Sequence, residues 1–148
     1  MKVKIKKLNE KAVMPFKTYD KDFCYDVVAT SCEEIAPNVY KYGIGLAFEI
    51  CPILNDYRDV NFSIDFRPRS SVWKTGLSLS NCIGTVDELY RGEVCAVFYH
   101  VMPSMPIYKV GDRIGQIKLG EAIPMEFEWS DELSDSERGD GGYGSTGK

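Results

Sequence analysis

Few residues in this sequence suit a bound zinc ion, a membrane span or a nucleic-acid surface. One histidine occurs in 148 residues, and the five cysteines, Cys24, Cys32, Cys51, Cys82 and Cys95, form no C-x-x-C pair. A structural zinc site would have to be assembled from scattered ligands. Four of the cysteines sit beside apolar or aromatic residues, as small core residues often do, and an odd count suits a reducing compartment. The most apolar stretch, Val94 to Met102, contains His100 and falls far short of the roughly 20 residues needed to cross a bilayer. His100 lies inside an apolar strand pattern, so its expected role is structural rather than acid–base. Met1 to Lys11 alternates lysine with valine and isoleucine and lacks the apolar core of a signal peptide. The 18 cations are outnumbered by 22 acids, for a net charge of -4 and a pI of about 5.1, so no basic face for nucleic acid is expected. These absences predict a soluble, cytoplasmic protein with no membrane or nucleic-acid partner.

Helical periodicity is almost missing as well. Its one candidate is a short turn near Ser70–Lys74, with a serine available to cap it. What recurs instead is short β-rich runs between turn residues: Val3–Lys7, Tyr25–Ala29, Ile44–Ile50, Val60–Phe66, Gly76–Leu79, Val94–Val101, Arg113–Leu119 and Ala122–Phe127. That spacing predicts an all-β barrel or sandwich, and the length leaves room for one core. No internal repeat is visible.

After Phe127 the composition changes. Residues 128–137 carry five acids and no cation, which reads as a solvated tether. Residues 138–148 hold five of the 13 glycines with two cations and two hydroxyls. Glycines let successive backbone N–H groups converge on an anion, and Arg138 offers a fork matched to phosphate oxygens. Gly142 to Lys148 has the spacing G-x-x-x-x-G-K of a P-loop, but that motif needs a Ser or Thr after the lysine and a helix beyond it. Neither follows Lys148, so the P-loop reading is set aside, and a disordered tail is the plainer alternative.

Three internal segments bear on the choice. Asn81 to Val94 reads as two strands joined by a tight turn around Asp87–Gly92, a hairpin whose backbone groups suit the edge of a flat base, with Asn81 adding an amide. The plainer reading is an ordinary hairpin with Asp87 in the turn. Arg67-Pro68-Arg69-Ser70-Ser71 puts cations and hydroxyls just before the expected helical turn, where free N–H groups favour anions. Tyr108 to Gln116 leads from a turn into a strand, and Gln116 adds one more polar group.

Taken in order with Tyr25-Asp26-Val27 and the glycine-rich tail, these segments resemble the five motifs of the homotrimeric dUTPase family. The resemblance covers nearly the whole chain; Gly84–Gly92 and Arg138–Gly147 are its most specific parts. It implies a distorted jelly-roll-like β-barrel subunit, of the β-clip kind, with a flexible C-terminal arm. The division expected is 1–127 for the β domain, 128–137 for the tether and 138–148 for the arm. It further implies a homotrimer whose active sites are shared between subunits, hydrolysing dUTP to dUMP and pyrophosphate with Mg²⁺ held mainly by the triphosphate and water.

Roles follow from the resemblance, residue by residue. Asp87 would orient and deprotonate the water that attacks the α-phosphate. Tyr90 would lie against the deoxyribose and exclude a 2′-hydroxyl; Asn81, with the backbone at Thr85 and Val86, would read uracil. Arg69, Ser70, Ser71 and Gln116 would line the phosphate chain. Arg138, Gly144, Ser145 and Thr146 would close over the γ-phosphate while Tyr143 stacks on the base. Asp26 would either hold a metal-bound water or brace the hairpin. Cys24 replaces a usual glycine, Gly115 a usual alanine and Tyr143 the commoner phenylalanine, while the Cys51–Phe66 connection is longer than usual. Two rival readings remain. One is a regulatory or protein-binding module that keeps this scaffold without catalysis. The other is a dCTP deaminase, which requires a glutamate where this chain has Val97.

Overall fold

The computed structural model describes residues 1–52 and 60–141. Ten strands span them: β1 Lys2–Lys7, β2 Tyr25–Val28, β3 Ser31–Ala36, β4 Val39–Gly43, β5 Leu46–Cys51, β6 Asn61–Arg67, β7 Leu77–Leu79, β8 Gly84–Asp87, β9 Cys95–His100 and β10 Arg113–Ala122. A single 3-10 turn, Val72–Lys74, interrupts them, at the place where the sequence predicts one. The protein is all-β, and no helix among the described residues is long and apolar enough to cross a membrane.

The strands form three antiparallel sheets, ordered β1-β5, β2-β10-β6-β8 and β3-β4-β9-β7. Strand β6 shows why alternation makes a strand here: Phe62, Ile64 and Phe66 are buried, while Ser63, Asp65 and Arg67 face outward. Each such aromatic or aliphatic side chain contributes roughly 1.5–3 kcal/mol by leaving water. The core joins these residues to Phe48, Phe98 and Ile114, so that side chains of all three sheets share one interior. Tyr42 is fully buried within it, with edge-on ring contacts to Phe98 and Tyr108. Its hydroxyl donates to the Tyr108 carbonyl at 3.0 Å, which ties β4 to the segment ahead of β10.

The structure departs from the sequence expectation in three features of the fold. Strands β3 and β4 form a hairpin that the pattern does not announce, because β3 is exposed along its whole length. Asn38, at φ +60°, turns that hairpin; asparagine tolerates this left-handed geometry better than most residues. Ala122–Phe127 is not a strand of its own: β10 runs through Ala122, and Ile123, Met125 and Phe127 are exposed beyond it. None of the five cysteines is buried, with Cys32 and Cys82 on the surface. His100 is structural, as expected, with Nε2 3.0 Å from the Met105 carbonyl and its ring edge-on to Tyr40.

Candidate active site

Asn81 to Val94 is not a paired hairpin. Strand β8 pairs with β6 and belongs to one sheet, whereas β9 pairs with β4 and β7 in another. Among the described residues no backbone hydrogen bond joins 84–87 to 94–97. The two strands splay because each completes a different sheet over the shared core, and a cleft of about 360 Å³ opens between them. Asn81, Gly84, Thr85, Val86, Asp87 and Tyr90 form one wall; Val94 to Ala96 form the other. Since β8 is the edge of its sheet, its outward N–H and C=O groups have no strand partner among the described residues. Such unspent backbone groups along β8 suit the hydrogen-bonding edge of a planar base.

The turn after β8 sets the two side chains at the cleft mouth. The Tyr90 N–H donates to the Asp87 carbonyl at 3.0 Å, and the Tyr90 hydroxyl donates to the Glu93 carbonyl at 3.2 Å. The Tyr90 ring therefore lies across Gly92, where any Cβ would collide with it. Arg91 donates to the Glu88 carbonyl at 2.6 Å, and Glu88 accepts from the Phe62 N–H at 3.1 Å, pinning the turn to β6. Asp87 itself is exposed, and among the described residues no side-chain or backbone donor engages its carboxylate. A free carboxylate at the mouth of a base-sized cleft is placed to take a proton from water.

A second cluster surrounds Asp26, which is only 6% exposed. Its carboxylate accepts from Arg113 Nη1 at 2.9 Å and from Gln116 Nε2 at 3.1 Å, and Arg69 Nε lies 3.5 Å away. Arg69 Nη1 reaches Ser71 Oγ at 3.4 Å, and Ser70 is exposed in the same turn. Arg69, Ser71 and Gln116 are thus brought together. Two guanidinium groups face the buried Asp26 carboxylate here, while Asp22 also lines the cleft and brings its formal charge to balance.

The single chain does not unite the two groups: Asn81, Thr85, Val86, Asp87 and Tyr90 line one cleft, while Asp26, Arg69 and Gln116 line another. Arg138 touches neither; its Nε donates to the Gly141 carbonyl at 2.8 Å. Tyr143, Gly144, Ser145 and Thr146 lie outside the described residues. Some cleft residues escaped the sequence reading, among them one cation and one thiol. Lys41, from β4, and Cys95, from β9, line the base-sized cleft because β4 pairs with β9, a relation no local motif announces. Burial pushes the Cys95 thiol up, with Glu93 adding to the shift and Lys41 opposing it.

The family model for dUTPase matches residues 10–147. This chain belongs to the dUTPase family. The deoxyuridine 5'-triphosphate nucleotidohydrolase of Nautilia profundicola is 36% identical over 150 residues, covering 100% of both chains. The enzyme of the same name from Crocosphaera subtropica is 35% identical over 150 residues, covering 99% of each. Among solved structures, Staphylococcus bacteriophage 80alpha dUTPase with dUPNHPP superposes with a TM-score of 0.79 at 21% identity, over 99% of each chain. At that identity the likeness concerns the fold. Position 115 has a steric reason to be glycine: a Cβ there would run into the Phe66 ring. A phenylalanine at position 66 and an alanine at position 115 do not fit together as the strands now lie.

Proposed function

We propose that this chain is a dUTP diphosphatase, hydrolysing dUTP to dUMP and pyrophosphate. The observation that carries the reading is the unpaired Asp87 carboxylate beside open strand edges, in a chain whose family and relatives bear the dUTPase name. Uracil enters the cleft between β8 and β9, pairing with backbone groups near Thr85 and Val86 and with the Asn81 amide. The Tyr90 ring, held over Gly92, lies against the deoxyribose and leaves no room for a 2′-hydroxyl. Asp87 orients a water and takes its proton as the water oxygen bonds to the α-phosphorus. The bond from that phosphorus to the oxygen bridging the α- and β-phosphates breaks, and pyrophosphate leaves with the electron pair. A positioned carboxylate base of this kind is worth roughly 10²–10⁴ in rate.

Arg69, Ser70, Ser71 and Gln116 line the phosphate chain, with Arg138, Tyr143, Gly144, Ser145 and Thr146 closing from the arm. Among the described residues no group of three His, Cys, Asp or Glu side chains is placed to hold a metal. Both Asp26 oxygens accept hydrogen bonds, and two guanidinium groups stand beside them, which opposes direct contact with a dication. Triphosphate oxygens and water are the ligands that fit Mg²⁺ here, with Asp26 reaching it at most through a water. When bound, the ion neutralises charge on the triphosphate.

The active unit is a homotrimer in which each site takes its base cleft, its Asp26 cluster and its arm from different subunits. The separation of the two clefts within one chain supports that reading. In the same reading 1–127 is the domain, 128–137 the tether and 138–148 the arm. Five free cysteines favour the cytoplasm. The test is pyrophosphate release with Mg²⁺ from dUTP, compared with UTP, dTTP and dCTP. Turnover confined to dUTP is expected; a well-folded protein without it overturns the assignment.

A further inference from the structure

Asp26 and Arg113 sit on neighbouring strands, 87 positions apart in sequence, and the 2.9 Å contact between them is the shortest of the three made by the Asp26 carboxylate. In a regular strand Arg113 and Gln116, three residues apart, point to opposite faces. Strand β10 breaks that rule: its register against β2 shifts between Arg113 and Gly115, and Ile114 and Gly115 are both buried. The bulge makes up the odd residue, so that Arg113 and Gln116 reach the same carboxylate.

The three contacts are unequal. Arg113 makes a short, charge-assisted hydrogen bond, and Gln116 an ordinary one. Arg69 Nε, at 3.5 Å, makes no hydrogen bond, although that nitrogen is buried. The Asp26 charge is therefore answered chiefly by Arg113, and the Arg69 guanidinium is held only loosely, by its 3.5 Å ion pair to Asp26 and its long contact to Ser71. Arg113 is 41% exposed but its partner Asp26 only 7%, so losing the pair leaves a buried carboxylate short of a counter-charge.

We infer that Arg113 is a positioning residue: by neutralising Asp26 it keeps Arg69 free for the triphosphate and holds the Gln116 amide in place. The inference rests on the proposal that Arg69 and Gln116 receive the phosphate chain. Without Arg113 the buried Asp26 anion has one cation left within reach. Arg69 then closes onto it and competes with substrate phosphate for its own donors.

The test compares Arg113→Gln, Arg113→Lys and the double variant Asp26→Asn/Arg113→Gln with the wild-type full-length protein, reading KM and kcat for dUTP and the binding of deoxyuridine, which has no phosphate. Arg113→Gln should raise KM roughly tenfold or more, the worth of one charge-assisted hydrogen bond, with a smaller change in kcat. Arg113→Lys, which keeps the charge, should recover most of the loss. The double variant should return KM towards the wild-type value, because no anion remains to capture Arg69. Deoxyuridine affinity should stay level throughout, which damage to the fold would not allow. An unchanged KM in Arg113→Gln overturns the inference, as does a double variant that is no better than the single one. If Arg113→Gln does not fold, a tenfold KM increase in the double variant overturns it equally. Arg69→Gln separates the two levels of the argument: if it leaves KM unchanged, the phosphate reading fails, whereas a raised KM there with none in Arg113→Gln sinks the positioning role alone.

Discussion

The Phe66 ring occupies the space into which a Cβ on Gly115 would project. Phe66 lies on β6 opposite Ile117 of β10, and Gly115 sits in the bulge that brings Arg113 and Gln116 to Asp26. One aromatic ring thus joins the core to the strand that organises the Asp26 cluster. Gly115→Ala should destabilise the fold by about 1–3 kcal/mol through overpacking. Phe66→Leu should relieve part of that loss in the double variant. Urea unfolding of the four proteins checks it; additive losses would show that the two positions do not compete for space.

Asp87→Asn keeps the shape of the side chain and removes the base. Turnover of dUTP should fall by roughly 10²–10⁴ while the nucleotide still binds. Pre-steady-state turnover and equilibrium binding to the same variant separate the two effects. Full activity in Asp87→Asn would mean that another group takes the proton.

The contact of Tyr90 with Gly92 predicts a change in sugar selectivity. Gly92→Ala pushes the ring from its seat, and Tyr90→Ala removes it. Both should narrow the ratio of kcat/KM for dUTP over UTP, with Tyr90→Ala the larger change. An undiminished ratio in Tyr90→Ala would place the 2′-hydroxyl filter elsewhere.

Alkaline pH should weaken the fold. Burial pushes the pKa of the Tyr42 and Tyr108 phenols and of the Cys95 thiol above their ordinary values. The folded protein keeps these protons at a pH where the unfolded chain has lost them. The unfolded state then binds fewer protons, so stability falls as pH climbs past the ordinary values of about 8.5 for a thiol and about 10 for a phenol. Urea midpoints at pH 8 and pH 10.5 measure the decline. Tyr42→Phe should shrink it, while costing about 1–3 kcal/mol at neutral pH because the Tyr108 carbonyl loses its donor. An equal decline in Tyr42→Phe would shift the effect to other groups.

Deleting residues 138–148 should leave secondary structure and oligomeric state intact and remove most dUTP turnover. Circular dichroism, sedimentation and the pyrophosphate assay read the three outcomes. Loss of folding on deletion would refute the role of this segment as a substrate-closing arm.

Much of the strand content was legible because it rests on alternation. Phe62, Ile64 and Phe66 announce β6 one residue at a time, and Val3 and Ile5 do the same for β1. Alternation misleads where no neighbouring strand completes it: Ile123, Met125 and Phe127 have the pattern and lie exposed. Its absence misleads too, since β3 pairs with β4 although neither face of β3 is buried. The Asn81–Val94 segment shows the deeper limit. Its residues announce two strands and a turn, but whether the strands pair with each other or join separate sheets depends on β6, β4 and β7.

The sequence by itself determined the all-β class, the chemical groups of the site and their order along the chain, because alternation and motif spacing are local properties. Tertiary structure decided how those groups meet. The splay between β8 and β9 opens the cleft beside Asp87, and a bulge in β10 turns Arg113 and Gln116 towards a carboxylate 87 and 90 positions away. Register across such distances is set by which faces the core buries, and that balance is struck only when all the strands pack together.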